Sequence, residues 1–267
     1  MRSVRVFAPA TVANFGVGFD ALGAALDGPG DVVTARLVRR PGVRVVAVTG
    51  DGGRLPKDSR RNTAAVAAGA VLARSGHRVG IEIERAKGLP LASGLGSSAA
   101  SAAAGALAAG LLLGFSGKRG LLPAVLLAEH AADGSWHGDN AFPALLGGML
   151  LVPSSDPSNL VPPVALKYPK RLRLVLVHPE LEILTREARA VLPKTVSMPA
   201  HVAHAAAFAG LVAALAAGDL VEAGRLMSTD RLVETARAPL VRGHAAVTAA
   251  MRRAGAFGCA RDRLSLR

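Results

Sequence analysis

Cysteine, tryptophan and tyrosine each occur once among the 267 residues, and aromatics together make up 3% of the chain. The lone thiol, Cys259, excludes a disulfide framework and any metal site built from several thiolates, and a reducing, cytoplasmic setting is expected. Acidic residues are also scarce: 19 Asp and Glu stand against 32 Lys and Arg, a formal net charge of +13. Such an excess attracts anions and raises nucleic acid as a partner. The basic residues are scattered singly or in pairs, however, with few aromatics between them to stack on bases, so no nucleic-acid partner is expected. The start, Met-Arg-Ser-Val-Arg-Val-Phe-Ala-Pro9, lacks the apolar stretch of a signal peptide. Long hydrophobic runs are missing too. Segments 99–115 and 202–217 fall short of the roughly 20 residues of a membrane span and are rich in Ala and Gly, so both are expected to be buried, closely packed helices, with no membrane partner.

What is present is an alternation of strand and helix signals. Ser3–Ala8, Asp31–Leu37, Val43–Thr49, Val79–Glu84 and Leu145–Val152 are β-branched or alternating runs that predict strands. Asn62–Ser75 has helical spacing with an Asn positioned to cap it, and a further helix is expected from Leu121 to about Ala132. Residues 152–164 are dense in Pro, Ser and Asp, which marks a linker and divides the chain into domains 1–152 and 165–267. Beyond it, Leu172–His178 and Ala256–Ala260 predict strands, with helices around 186–192, 200–217, 219–228 and 239–254. The pattern is α+β in two lobes.

Residues 88–100 carry the chemistry. Glycines at 94 and 96 permit a backbone with φ > 0 and close approach to a ligand. Ser97 and Ser98 follow where a long helix begins, beside unpaired N–H groups and the positive end of the helix dipole. Such a place binds anions, phosphate above all. A Walker A loop is excluded, because Gly117-Lys118 lacks its upstream glycine: position 112 is Leu112. Gly94-Leu-Gly96-Ser-Ser-Ala99 formally fits a dinucleotide fingerprint, but Arg85–Ser93 separates it from the preceding strand. No acidic residue occurs between Glu84 and Glu129 to answer it.

Pro90-Leu-Ala-Ser-Gly-Leu-Gly-Ser-Ser-Ala-Ala100 resembles the second signature of the GHMP kinases. Within that superfamily the chain is similar to the homoserine kinases. Pro9-Ala-Thr-Val-Ala-Asn-Phe-Gly-Val-Gly-Phe-Asp-Ala-Leu-Gly23 resembles their N-terminal signature. His137-Gly-Asp-Asn-Ala-Phe-Pro143, Thr185–Pro193 and Asp230–Arg237 resemble further segments. The resemblance implies the two-lobed GHMP kinase fold, with an N-terminal ATP-binding lobe like domain 2 of ribosomal protein S5 and a ferredoxin-like C-terminal lobe. It also implies ATP and Mg²⁺, transfer of a phosphoryl group to L-homoserine in threonine biosynthesis, and a homodimer as one assembly.

The resemblance assigns Asn62, Pro90, Ser93, Gly94, Leu95, Gly96, Ser97 and Ser98 to ATP, with Asn62 near the adenine. It assigns Ser98 and Glu129 to Mg²⁺, which prefers oxygen donors. Taken alone, Glu129 reads equally well as a solvated helix carboxylate. A zwitterionic substrate needs carboxylates for its ammonium and arginines for its carboxylate. Asp20, Asp139, Arg189 and Arg237 supply that set, with Asn14 and Asn140 as neutral partners, and the resemblance places all six at the substrate. Asp139 is expected to orient the substrate hydroxyl. His137 is expected to hold its own loop, and His130 and His178 are assigned no chemistry.

The ending departs from the family. After Gly255-Ala-Phe-Gly-Cys-Ala260 the resemblance implies a third glycine-rich signature, whereas the chain reads Arg261-Asp-Arg-Leu-Ser-Leu-Arg267. A truncation or a shifted reading frame is expected there, with an incomplete C-terminal lobe and reduced turnover. Two alternatives stay open: another GHMP kinase acting on a small alcohol such as an isoprenoid precursor, and a non-catalytic nucleotide- or nucleic-acid-binding relic.

Overall fold

The computed structural model describes residues 2–91, 93–177 and 185–260, and its chain divides into two compact units. The first comprises Met1–Val12, Gly23–Leu91 and Leu95–Val164; the second comprises Ala13–Leu22, Ala92–Gly94 and Ala165–Arg267.

The six-stranded sheet is built from β1 (Ser3–Asn14), β2 (Gly18–Val38), β3 (Gly42–Thr49), β4 (Gly80–Ala86), β5 (Met149–Leu151) and β6 (Val164–Ala165). Its order is β3-β4-β2-β5-β6, with β1 paired to β2. β2 and β4 run antiparallel, Val32 opposite Ala86 and Val38 opposite Gly80. β3 lies parallel to β4, with a register shift between Val45 and Ala47. That parallel pair needs a crossover, which α1 (Thr63–Ser75) supplies. β1 and β2 extend well past the expected Ser3–Ala8 and Asp31–Leu37. Gly18, Gly23, Gly28 and Gly30 lie within β2, where cross-strand pairing outweighs their poor strand propensity.

α2 (Ser97–Leu113), α3 (Leu122–Asp133) and α4 (Gly138–Leu146) complete the first unit. α2 is apolar all round and most of its residues are buried, as a helix without a polar face must be. Its small side chains permit close packing. A Cβ on Gly105 would lie 2.2 Å from the carbonyl oxygen of Ala64 in α1, so the two backbones nearly touch. α4 was not expected, since Gly138 and Pro143 both read as helix breakers, and its span displaces the start of the strand expected at Leu145.

Among the described residues the second unit is mainly helical: α5 (Thr185–Ala190), α6 (Met198–Ala217), α7 (Leu220–Met227), α8 (Val233–Arg237) and α9 (His244–Arg253). The expected strands at Leu172–Val177 and Ala256–Ala260 are absent among the described residues, because a strand exists only through pairing and neither run finds a partner strand. His178 and the ending 261–267 lie outside the described residues. The helix expected over 239–254 is interrupted at Gly243, whose φ of 75° is left-handed, and only α9 follows. α6 also departs from expectation. Only Leu211, Ala214 and Leu215 are buried in it, although it is long and apolar enough to cross a membrane by length and composition.

Candidate active site

The glycine loop opens α2 as its sequence requires. Gly94 and Gly96 have φ of 74° and 61°, both left-handed. A Cβ on Gly96 would fall 1.9 Å from Thr11 Oγ1 and 3.1 Å from Asn140 Oδ1, so only glycine fits. Thr11 pins the loop twice: its N–H donates to the Leu95 carbonyl at 3.0 Å and its hydroxyl donates to Asn140 Oδ1 at 2.9 Å. The N-cap residue of α2 is Gly96, which has no side chain to cap the first turn. The leading N–H groups of a helix and its dipole are of the kind that suit an anion. Gly94, Leu95, Gly96, Ser97 and Ser98 are half-buried, Pro90 is exposed and Ser93 is buried.

Beneath the loop lies a buried network that the sequence did not announce. The ammonium of Lys87 donates to Asp31, to Ser97 Oγ at 2.6 Å and to the Ser97 carbonyl at 3.0 Å. Ser101 donates to Asp31, and the Gly88 N–H donates to Asp31 Oδ1 at 3.2 Å. Both charged side chains are fully enclosed. Burial pulls the Lys87 ammonium down to about 8, while Asp31 acts in the opposite sense. The one available signal was a lysine placed straight after a strand that alternates toward the core.

Asn62 stands at the N-cap position of α1, as expected, but its side chain makes no cap bond. Its amide nitrogen donates to the Pro56 carbonyl at 3.0 Å and its oxygen accepts from Arg85 at 3.3 Å, so tertiary partners outcompete the local cap. Glu129 is 2% exposed, which contradicts the solvated-carboxylate reading: α3 turns this residue inward. His137 caps α4 from outside its first turn. Its Nε2 lies 3.0 Å from Asp133, and its carbonyl accepts the Ala141 N–H at 2.9 Å. His130 stacks on Trp136 at 4.0 Å.

α4 carries Asp139 and Asn140 in its first turn, 1% and 3% exposed. The helical partner of the Asp139 carbonyl would be the N–H of residue 143, which proline lacks. Gly23 occupies that flank so closely that a Cβ there would lie 1.7 Å from the Asp139 oxygen. The proline and the glycine together fix where Asp139 starts.

In the second unit, Asn14 at the end of β1, Phe15 just after it and Asp20 within β2 have φ of 70°, 46° and 57°. Asn and Asp tolerate this left-handed region better than most residues, so the strain falls mainly on Phe15. The side chain of Asn14 accepts the Asp20 N–H at 2.9 Å. Asp20 in turn accepts two hydrogen bonds from Arg189, at 3.0 and 2.9 Å. Arg237 is 4% exposed; its Nε–H donates to the Ala188 carbonyl at 2.9 Å. Asp20 and Arg189 are thus joined directly, and Arg237 is tied to the carbonyl of the residue before Arg189. The direct Asp20–Arg189 pairing was not anticipated. Also missed was Asp230, whose carboxylate accepts the N–H groups of Leu232, Val233 and Glu234 at 2.8, 3.0 and 2.9 Å and so starts the helix that ends in Arg237.

Residues 62–148 match the family pattern described as GHMP kinases N terminal domain. The chain is 46% identical over 264 residues to the homoserine kinase of Arabidopsis thaliana, covering 96% of this chain and 70% of that protein. To the homoserine kinase of Chloroherpeton thalassium it is 41% identical, covering 97% and 83%. The chain belongs to the homoserine kinase family. The crystal structure of homoserine kinase from Cytophaga hutchinsonii superposes with a TM-score of 0.92 at 46% identity, covering 98% of this chain and 82% of that one. The fold is therefore the GHMP kinase fold, and the family is one of phosphotransferases that use ATP.

Proposed function

We propose that this homoserine kinase family member transfers the γ-phosphoryl group of ATP to the side-chain hydroxyl of L-homoserine, giving O-phospho-L-homoserine in threonine biosynthesis. The relatives support the substrate. The observation that carries the reading is the Asp20–Arg189–Arg237 grouping, an arrangement with one carboxylate and two guanidiniums that complements an amino-acid zwitterion.

The uncapped start of α2 and the loop Ser93–Ser98 bind the triphosphate, with Pro90 and Asn62 toward the nucleoside. Ser98 and the buried carboxylate of Glu129 are oxygen donors of the kind Mg²⁺ takes, and their chemistry fits that ion. When bound, Mg²⁺ neutralises charge on the transferring phosphoryl group. Asp20 and Asn14 receive the ammonium of homoserine, and Arg189 and Arg237 receive its carboxylate. Asp139, with Asn140 beside it, accepts a hydrogen bond from the substrate hydroxyl and aims its oxygen. With a loose transition state, such alignment supplies much of the rate without a strong base.

A coupled ADP-release assay over L-homoserine, mevalonate and other small alcohols tests the reading. Release that depends on L-homoserine is expected. Release with mevalonate in its place moves the chain to the isoprenoid branch, and release with neither removes the kinase reading.

A further inference from the structure

Phe19 has no role in any assignment so far, yet it touches both arginines. The Arg237 guanidinium lies over its ring, 4.7 Å from the centroid, and the Arg189 guanidinium lies over the same ring at 5.5 Å. Both distances fall within the roughly 6 Å over which a cation is attracted by an aromatic face. Two like charges gathered near one point repel each other. Asp20 offsets part of that repulsion through Arg189, and the negative ring face offsets more.

The backbone shows how one short segment reaches both cations. In a regular strand, neighbouring side chains point to opposite faces. Asp20 has φ of 57°, which breaks that alternation, and Phe19 and Asp20, although adjacent, both engage Arg189. Asn14 holds the kink by accepting the Asp20 N–H. The left-handed conformation of Asp20 thus lets ring and carboxylate face one guanidinium.

We propose that Phe19 is a specificity-determining residue: its ring is the platform that holds Arg189 and Arg237 together, and it thereby selects an alcohol bearing an α-carboxylate over the same alcohol without one. The inference rests on the amino-acid substrate reading above.

Phe19→Leu removes the π face while keeping an apolar side chain, and Phe19→Tyr keeps the face. Steady-state kinetics on L-homoserine, and on 3-aminopropan-1-ol, which lacks only the carboxylate, read the difference. The Leu variant is expected to raise the KM for L-homoserine about tenfold, with the KM for ATP and the kcat/KM for 3-aminopropan-1-ol within twofold of wild type. The Tyr variant is expected to restore the L-homoserine KM. A homoserine KM within twofold in Phe19→Leu overturns the proposal, as does an equal loss on both alcohols that Tyr fails to rescue. Should the wild-type chain phosphorylate neither alcohol, the substrate reading fails and the platform is read separately. Acetate is then titrated against the arginine Nε–H resonances by NMR. Weaker acetate binding in Phe19→Leu than in wild type upholds the platform, and equal binding contradicts it.

Discussion

Gly23 lies against the carbonyl oxygen of Asp139, close enough that a Cβ on the glycine would sit 1.7 Å from it. Pro143 deprives that carbonyl of its helical donor, so this contact adds to the first-turn bond from the Ala141 N–H to the His137 carbonyl in placing the start of α4. Gly23→Ala must therefore push Asp139 away. A stability loss of about 1–3 kcal/mol is expected from the overpacking, with at least a tenfold drop in kcat and little change in the KM for ATP. Unchanged kcat in a folded Gly23→Ala protein would show that the position of Asp139 is not critical.

Lys87 links stability to pH. Burial holds its ammonium at about 8, below the 10.5 of an exposed lysine. Between those values the unfolded chain binds more protons than the folded one, so the Lys87 share of stability is constant below pH 8 and rises with pH from 8 to 10.5. Replacing both buried charges, Asp31→Asn with Lys87→Met, removes that rise. Chemical denaturation at pH 7.5 and 9.5 checks it. A gain for wild type that the double variant lacks is expected, and parallel pH dependence in the two proteins counts against the assignment.

Asp230 starts the helix that ends in Arg237 by accepting three backbone N–H groups. Asp230→Ala is expected to cost about 1–2 kcal/mol, the range for losing a helix cap. Because Arg237 rides on that helix, the KM for L-homoserine should rise more than the KM for ATP. Equal effects on both would mean that Asp230 supports only the general fold.

Glu129 is a buried carboxylate that the proposed reaction uses as a ligand to Mg²⁺. Glu129→Gln keeps its size and removes its charge. The Mg²⁺ concentration giving half-maximal rate is expected to rise at least tenfold, with circular dichroism unchanged. A Gln variant with the wild-type Mg²⁺ response would relieve Glu129 of that role.

Much of the geometry of the glycine loop was legible because its residues act locally. Glycines at 94 and 96 turn left-handed, and α2 begins at Ser97, where small residues and helix propensity say it must. Charge complementarity named the residue types, the family resemblance named the residues, and the structure brings Asp20 to Arg189 and both arginines to Phe19. What stayed hidden depends on partners distant in sequence. Thr11 meets Asn140 across 129 positions, and Lys87 meets Asp31 across 56. No periodicity encodes such meetings. α4 was missed because Gly138 and Pro143 are breakers in isolation, and nothing local announces the bond from the Ala141 N–H to the His137 carbonyl that opens it. The strands expected at 172–178 and 256–260 rest on composition, which cannot tell whether a partner strand exists.

Phosphorus NMR of a reaction containing the full chain, Mg-ATP and L-homoserine tests the central claim most directly. A phosphomonoester resonance that appears only with L-homoserine, matched by equal formation of ADP, is the predicted result. Inorganic phosphate alone, or no turnover of ATP while mevalonate is phosphorylated instead, would contradict it.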